Sequence, residues 1–191
     1  MYIQHFDINL LCDSLLHSMI NISKSFDLAH YKNKHNKIML ETKIYNTETS
    51  MTSVEKEDTI NFLFEHLDQY GDKKEDITRA INFSLKANDP ALKPMPLGGF
   101  ILNGHMDGKI VGSVVVNRTG MSGYIPENIL VYIATHRDYR GKGIGRQLVK
   151  TALETADGNV ALHVEPDNPA RFLYEKAGMT SKYIEMRYIK K

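Results

Sequence analysis

Three glycines at alternate positions, Gly141, Gly143 and Gly145, fill the run Tyr139-Arg140-Gly141-Lys142-Gly143-Ile144-Gly145-Arg146. Before it, Ile129-Leu130-Val131-Tyr132-Ile133-Ala134 is rich in β-branched and aromatic residues and predicts a buried strand. After it, Leu148, Val149, Ala152, Leu153 and Ala156 recur at helical spacing. The chain must therefore pass from strand to helix through a loop with almost no side chains. Such a loop presents unpaired N–H groups beside the positive end of the helix dipole, which suits a phosphate or pyrophosphate. Arg140, Lys142 and Arg146 add positive charge. A phosphorylated cofactor held by residues 141–146 is the expectation.

The spacing narrows the choice. A P-loop needs Gly-x-x-x-x-Gly-Lys followed by Ser or Thr, and no such run exists. A dinucleotide fingerprint needs Gly-x-Gly-x-x-Gly and an acidic residue about 20 positions on. Here the glycines fall as Gly-x-Gly-x-Gly, although Glu165 stands at a suitable distance after the next predicted strand, Val160-Ala161-Leu162-His163-Val164. That reading is weakened, not abolished. A glycine-rich turn with solvated charges is the plainer alternative.

The loop does not stand alone. Arg140-x-x-Gly143-x-Gly145, within Arg137-Asp138-Tyr139-Arg140-Gly141-Lys142-Gly143-Ile144-Gly145, resembles the signature of the GNAT family of N-acetyltransferases. Further on, Asn168-Pro169-Ala170 and Tyr174-Glu175-Lys176-Ala177-Gly178 resemble that family's second motif, in the right order. The resemblance covers residues 97 to 189. It implies acetyl-CoA as acyl donor, with loop amides from Gly141 to Arg146 on the pyrophosphate. It also implies that Ile133, Ala134 and Thr135 pair their backbone with the pantetheine arm, and that Asn168 meets the cofactor where two central strands splay apart. The second motif argues against a dinucleotide protein.

By the same resemblance Tyr174 is the general acid, since a phenol with a pKa near 10 stays protonated at neutral pH. Simple packing of Tyr174 with Phe172 and Leu173 is its plain alternative. Many family members carry a glutamate base in the strand before the loop, but residues 129–134 contain no carboxylate. Glu127 is the nearest candidate, followed by His136, Glu165 and Glu185. A water chain, or an amine that arrives deprotonated, would serve instead.

Composition fits a globular chain: of 191 residues, 42% are hydrophobic and 25% charged. A net charge of +1 gives no overall pull toward nucleic acid or membrane, and neither is expected as a partner. One cysteine, Cys12, excludes an intrachain disulfide, and eight scattered histidines show no paired zinc spacing, so no metal is expected. No apolar run approaches the ~18 residues of a membrane span, and no signal-like start is seen. The expected compartment is the cytoplasm.

Element signals give an order. Leu11, Leu15, Met19, Ile22 and Phe26 predict a helix within an N-terminal helical extension, residues 1–38, ahead of an acetyltransferase-like domain, residues 39–191. From residue 39 follow a strand, a capped helix after Thr52-Ser53-Val54-Glu55, and a second helix after Asp72. Pro90, Pro94 and Pro96 break the chain. Strands Gly99 to Leu102 and Lys109 to Asn117 flank an Asp107-Gly108 turn. The strand before the glycines, the helix after them, another strand, a helix ending at Gly178 and a last strand near Tyr183 to Tyr188 complete the domain. The fold class is α/β: a mixed, mostly antiparallel sheet flanked by helices, as in the resembled family.

Three functions remain open at this point. The first is N-acetyl transfer from acetyl-CoA to a primary amine of a small molecule or peptide, by direct transfer in a ternary complex. The second is a non-catalytic acyl-CoA-binding or regulatory module, and the third a dinucleotide binder. The acidic stretch Asp68, Asp72, Glu75 and Asp76 would suit a cationic amine, or simply face water. Residues 1–38 would cover the acceptor site, pack a homodimer interface, or extend the core.

Overall fold

Thr52 and Glu55 start helix α1 (Ser53–His66) with a reciprocal cap. The Thr52 hydroxyl accepts the Glu55 N–H at 3.2 Å, and the Glu55 carboxylate accepts the Thr52 N–H at 2.9 Å. Such caps are worth about 1 kcal/mol. The same carboxylate takes the Lys43 ammonium and the Tyr45 O–H from strand β1 (Glu41–Tyr45), which ties the helix start to the sheet edge. With Lys43 as the largest cause, the Glu55 carboxyl is held down at about 2. Residues 40–85 and 98–190 are described in this computed structural model, all within one compact unit, Met39–Lys191. The helix expected over residues 11–26, Cys12 and the three prolines at 90, 94 and 96 lie outside the described residues.

Helix α2 (Lys74–Leu85) follows α1, and strands β2 (Gly99–Met106) and β3 (Lys109–Arg118) form a hairpin. Asp107 and Gly108 both take positive φ, 50° and 73°, the backbone of a two-residue I′ turn. The turn is so tight that β2 runs on to Met106, beyond the expected end at Leu102. Strand β4 (Asn128–Thr135), helix α3 (Ile144–Thr155), strand β5 (Val160–Ala161) and helix α4 (Arg171–Lys176) complete the described elements. The sheet order is β1-β2-β3-β4-β5, antiparallel except for the parallel β4–β5 pair. The expected mixed, mostly antiparallel sheet flanked by helices is the fold observed.

Both faces of the sheet are covered, so Val111 and Val114 to Val116 are all buried despite pointing alternately up and down. On one face Ile60, Leu63, Ile77 and Ile81 of α1 and α2 pack with Tyr45, Ile101, Val115 and Tyr132. Each such aliphatic side chain contributes roughly 1.5–3 kcal/mol. A polar thread crosses this layer without loose ends: Ser113 donates to Asn103, Asn103 to Thr59, and Thr59 to the Glu55 carbonyl. On the other face Leu148 of α3 comes so close to β3 that a Cβ on Gly112 would lie 2.4 Å from its Cδ1. Gly112 is what lets α3 seat against the sheet.

Two expectations fail at the C-terminal side. The strand expected over residues 160–164 stops at Ala161, and residues 179–190 form neither strand nor helix. Tyr183, Ile184, Met186 and Tyr188 stand exposed. A strand exists only where a ladder satisfies its N–H and C=O groups. β5 pairs with β4 over two residue pairs alone, so it offers no ladder for the last segment. Helix α4 ends as expected at Gly178, which takes φ 91°. The Gly178 N–H donates to Glu175 O, and the Met179 N–H to Tyr174 O, the paired bonds of a Schellman cap.

Candidate active site

A single extra residue opens the sheet. Val115 pairs with Tyr132 and Val116 with Leu130, so Val131 has no partner on β3 and β4 bulges there. A bulge bends its strand and strengthens the local twist. β4 pairs with β5 only at Asn128 and Ile129, before the bulge. Beyond it the two strands part, and the β5-facing edge of residues 131–135, including Ile133, Ala134 and Thr135, has no neighbouring strand among the described residues. Nothing in residue type marks Val131 for this role. The only sequence hint is an unbroken apolar run, in which one surplus residue is invisible.

The glycine loop lies at the end of that edge. Gly141 and Gly143 take φ 74° and 86°, a region where L side chains are strained, and a Cβ on either would meet nothing within 4 Å. Gly143 is the N-cap of α3 and supplies no side chain to satisfy it. The Gln147 N–H is the first to close a helical bond, to Gly143 O. The N–H groups of Gly141, Lys142, Gly143, Ile144, Gly145 and Arg146 have no backbone partner among the described residues. Ile144, 2% exposed, anchors the turn beneath them. The result is an open cradle of donors at the positive end of a twelve-residue helix.

The three cations of the loop have different roles. Lys142 sits over the Tyr139 ring at 4.8 Å, and Arg146 forms no ion pair among the described residues. Arg140 is fully engaged. Its Nε donates to Thr135 O at 3.2 Å and its Nη2 to His66 O at 2.8 Å, while Nη1 lies 2.7 Å from the Asp68 carboxylate. Arg137 joins it, reaching Asp68 at 2.8 Å and Glu65 O at 2.7 Å. The two arginines together hold the Asp68 carboxyl below its ordinary range, Arg140 first. The guanidinium that the sequence assigns to the cofactor is turned here to the α1–α2 loop.

Of the acidic stretch, Asp68 is bound to these arginines, Asp72 accepts the Tyr132 O–H at 2.6 Å, and Asp76 pairs with Arg79 at 2.9 Å. Glu75, the fourth of the stretch, is exposed and has no ion pair among the described residues. His66 is buried, its ring 4.7 Å from Phe62 and 4.4 Å from His136, and its Nδ1 has no partner among the described residues. Burial, then the His136 charge, lowers its pKa. His136 caps the next turn, its Nδ1 accepting the Asp138 N–H.

Helix α4 stands next to the loop. A Cβ on Gly145 would lie 3.3 Å from Leu173 and 3.5 Å from Thr135 Oγ1, so the first turn of α3, the end of β4 and α4 meet there. Tyr174 follows Leu173 and is 8% exposed. Burial pushes its phenol up to about 12, and its O–H has no hydrogen-bond partner among the described residues. Asn168 orders the turn into α4 by accepting the Ala170 N–H on its side-chain oxygen at 2.9 Å.

Glu127 is a different case. It precedes β4 at the end opposite the glycine loop, and its carboxylate accepts the Asn159 N–H at 2.8 Å. Backbone N–H groups, its own and that of Asn159, lower its pKa. This bond pins the turn before β5 to the start of β4 and engages one oxygen of the carboxylate proposed from the sequence as base. No group of three or more His, Cys, Asp or Glu suited to a metal occurs among the described residues. None of their helices is long and apolar enough to cross a membrane.

Comparison with known proteins agrees with this geometry. A sequence profile described as the Acetyltransferase (GNAT) family matches residues 57–179. Among solved structures, a ribosomal-protein-alanine N-acetyltransferase from Brucella melitensis biovar Abortus 2308 is 17% identical with a TM-score of 0.52, covering 79% of this chain and 99% of its own. A GNAT-family acetyltransferase from Streptococcus pneumoniae TIGR4 is 18% identical with a TM-score of 0.55, covering 80% and 98%. The aminoglycoside N-acetyltransferase AAC(6')-Iy, solved with CoA, is 14% identical with a TM-score of 0.56, covering 81% and 97%. At these identities the likeness is one of fold. A search of curated protein sequences found no match.

Proposed function

The chain belongs to the GNAT family of acetyltransferases, and from that premise we propose that it moves an acetyl group from acetyl-CoA to a primary amine of a small molecule or peptide, directly, within a ternary complex. The observation that carries this reading is the row of N–H groups from Gly141 to Arg146 with no backbone partner among the described residues, next to a β4 edge that has parted from β5. Amides 141–146 would hold the pyrophosphate, with Lys142 and Arg146 as the available charges. The open edge of Ile133, Ala134 and Thr135 would pair with the pantetheine arm and aim a backbone N–H at the thioester oxygen. Asn168 would line the far side of the cleft.

The donor supplies a thioester whose acyl carbon an amine can attack. Tyr174 would give its phenolic proton to the departing sulfur, and its raised pKa keeps that proton in place across the neutral range. Glu127 is engaged by Asn159, and His136, Glu165 and Glu185 would stay as further candidates for the base. Without them the acceptor would enter neutral, or lose its proton through water. The acceptor class spans small and peptide amines, because the structural neighbours include both aminoglycoside and ribosomal-protein-alanine acetyltransferases. The proposed compartment is the cytoplasm.

The lack of a carboxylate in residues 129–134 also supports the rival reading, an acyl-CoA-binding module without turnover. Calorimetric titration with acetyl-CoA and with NAD, followed by thiol release over a panel of amines, separates the two. Micromolar acetyl-CoA binding with turnover of at least one amine is the expected result. Binding without turnover on any amine favours the module, and absence of acetyl-CoA binding by the folded protein overturns both.

A further inference from the structure

The α1–α2 loop is fastened at both ends of the cleft. At one end Asp68 accepts from Arg137 and Arg140, at 2.8 and 2.7 Å, and those arginines also take up the last carbonyls of α1, Glu65 O and His66 O. At the other end the Tyr70 O–H donates to Asp167 O at 3.3 Å, in the turn that leads to Asn168. The loop thus straps across the opening between β4 and β5. Asp68 takes φ 54°, an uncommon backbone for a residue with a side chain, and the two guanidinium groups converge on the side chain that this conformation presents. Arg140 lies immediately before Gly141, so its three bonds to Thr135, His66 and Asp68 fix where the glycine loop begins.

We propose that Asp68 is a positioning residue that joins the α1–α2 strap to the glycine loop, so that the wall on the acceptor side and the anchor for the cofactor order together. The arginine of the Arg-x-x-Gly-x-Gly pattern then acts through its planar fork on Asp68 and the end of α1, and not as a charge on the cofactor. Coupling of this kind is reciprocal: whatever steadies residues 141–146 steadies residues 67–73, and the converse. The cofactor part of the inference rests on the acetyl-CoA reading above; the mechanical part does not.

The sign of one substitution separates a strap from simple electrostatics. Asp68→Asn removes a negative charge near an anion site, which by Coulomb's law alone should tighten binding of CoA, a polyanion. Asparagine also tolerates positive φ, so the backbone is not strained by the change. The strap predicts the opposite, CoA affinity reduced about five- to tenfold, at the low end of usual coupling between sites. Amide hydrogen exchange, read without ligand, should quicken in Asp68→Asn at residues 141–146 as well as at 67–73. Asp76→Asn, which removes a carboxylate paired among the described residues with Arg79 alone, should leave 141–146 unchanged. If Asp68→Asn does not fold, Arg137→Ala carries the exchange part of the test by releasing one of the two arms, since its effect on CoA affinity has the same sign under both readings.

Faster exchange confined to residues 67–73, or CoA binding equal to or tighter than native, overturns the strap. Failure of the native protein to bind CoA would sink the functional reading alone, because the exchange comparison still decides the mechanical one.

Discussion

Gly143 and Gly123 form a matched pair that separates the cost of a backbone from the cost of a site. Both take φ 86°, and a Cβ on either meets nothing within 4 Å. Gly143 caps α3 within the cradle, whereas Gly123 lies in the loop between β3 and β4, remote in sequence from the glycine run. Replacing either with alanine places an L side chain in the left-handed region, at about 1–2 kcal/mol. For a chain of this size that is a melting shift of roughly 2–8 °C, equal in the two variants. Binding should divide them. The methyl of Gly143→Ala occupies the face on which the pyrophosphate would rest and disturbs at least one charge-assisted N–H contact, worth about 1.5–3 kcal/mol. Acetyl-CoA affinity should therefore fall about tenfold to a hundredfold. Gly123→Ala should bind as the native protein does. Thermal melts and calorimetric titration of both variants give the four numbers required. Equal loss of affinity in the two, or none in Gly143→Ala, would refute the cradle and leave its open amides without a ligand.

Other expectations follow from the same geometry. Tyr174→Phe keeps the ring and removes only an O–H that has no partner among the described residues, so acetyl-CoA binding and melting should hardly change while kcat falls by about two orders of magnitude; an unchanged kcat in an amine assay would return Tyr174 to packing. Glu127→Gln should lower the melting temperature, through the weakened bond to Asn159, but leave kcat and its pH profile as they are; loss of the profile's acid limb would reinstate Glu127 as the base. Glu55 has its carboxyl depressed to about 2, so it binds fewer protons folded than unfolded, and its stabilising effect is present above pH ~4.5 and lost as pH falls toward 2. Melting curves of Glu55→Gln should show a shallower decline over that interval, and a parallel decline would mean that its bonds to Lys43 and Tyr45 do not persist in solution.

Local chemistry was legible in the chain; relations between distant segments were not. The Thr52–Glu55 cap, the Asp107-Gly108 turn, the glycine N-cap of α3 and the Gly178 helix end all depend on residues within a few positions of one another, and each lies where its pattern predicts. The open end of the cleft depends on a surplus residue at Val131, which shows only once β3 is laid beside β4. Arg140 illustrates the same limit. Its position beside a phosphate-type loop invites a role on the ligand, yet its partners, His66 and Asp68, lie some 70 residues earlier, beyond the reach of any motif. Glu127 was the nearest carboxylate to β4 in sequence, but an extended strand places its two ends at opposite edges of the fold. The C-terminal alternation at Tyr183 to Tyr188 fits strand propensity, and propensity without a partner strand makes none.

The parting of β4 from β5 also bears on how the protein fares without its ligand. An opened strand edge is a row of unsatisfied donors and acceptors, the feature that other folds hide because it invites intruding strands. A pantetheine arm laid along residues 131–135 would act as a surrogate strand, healing the sheet for as long as it stays. At a CoA concentration a hundred times its dissociation constant, mass action alone adds about 2.7 kcal/mol to the folded state. Supply of the donor would then regulate the amount of intact protein as well as its rate of work, with shortage exposing the cleft to proteases and to self-association.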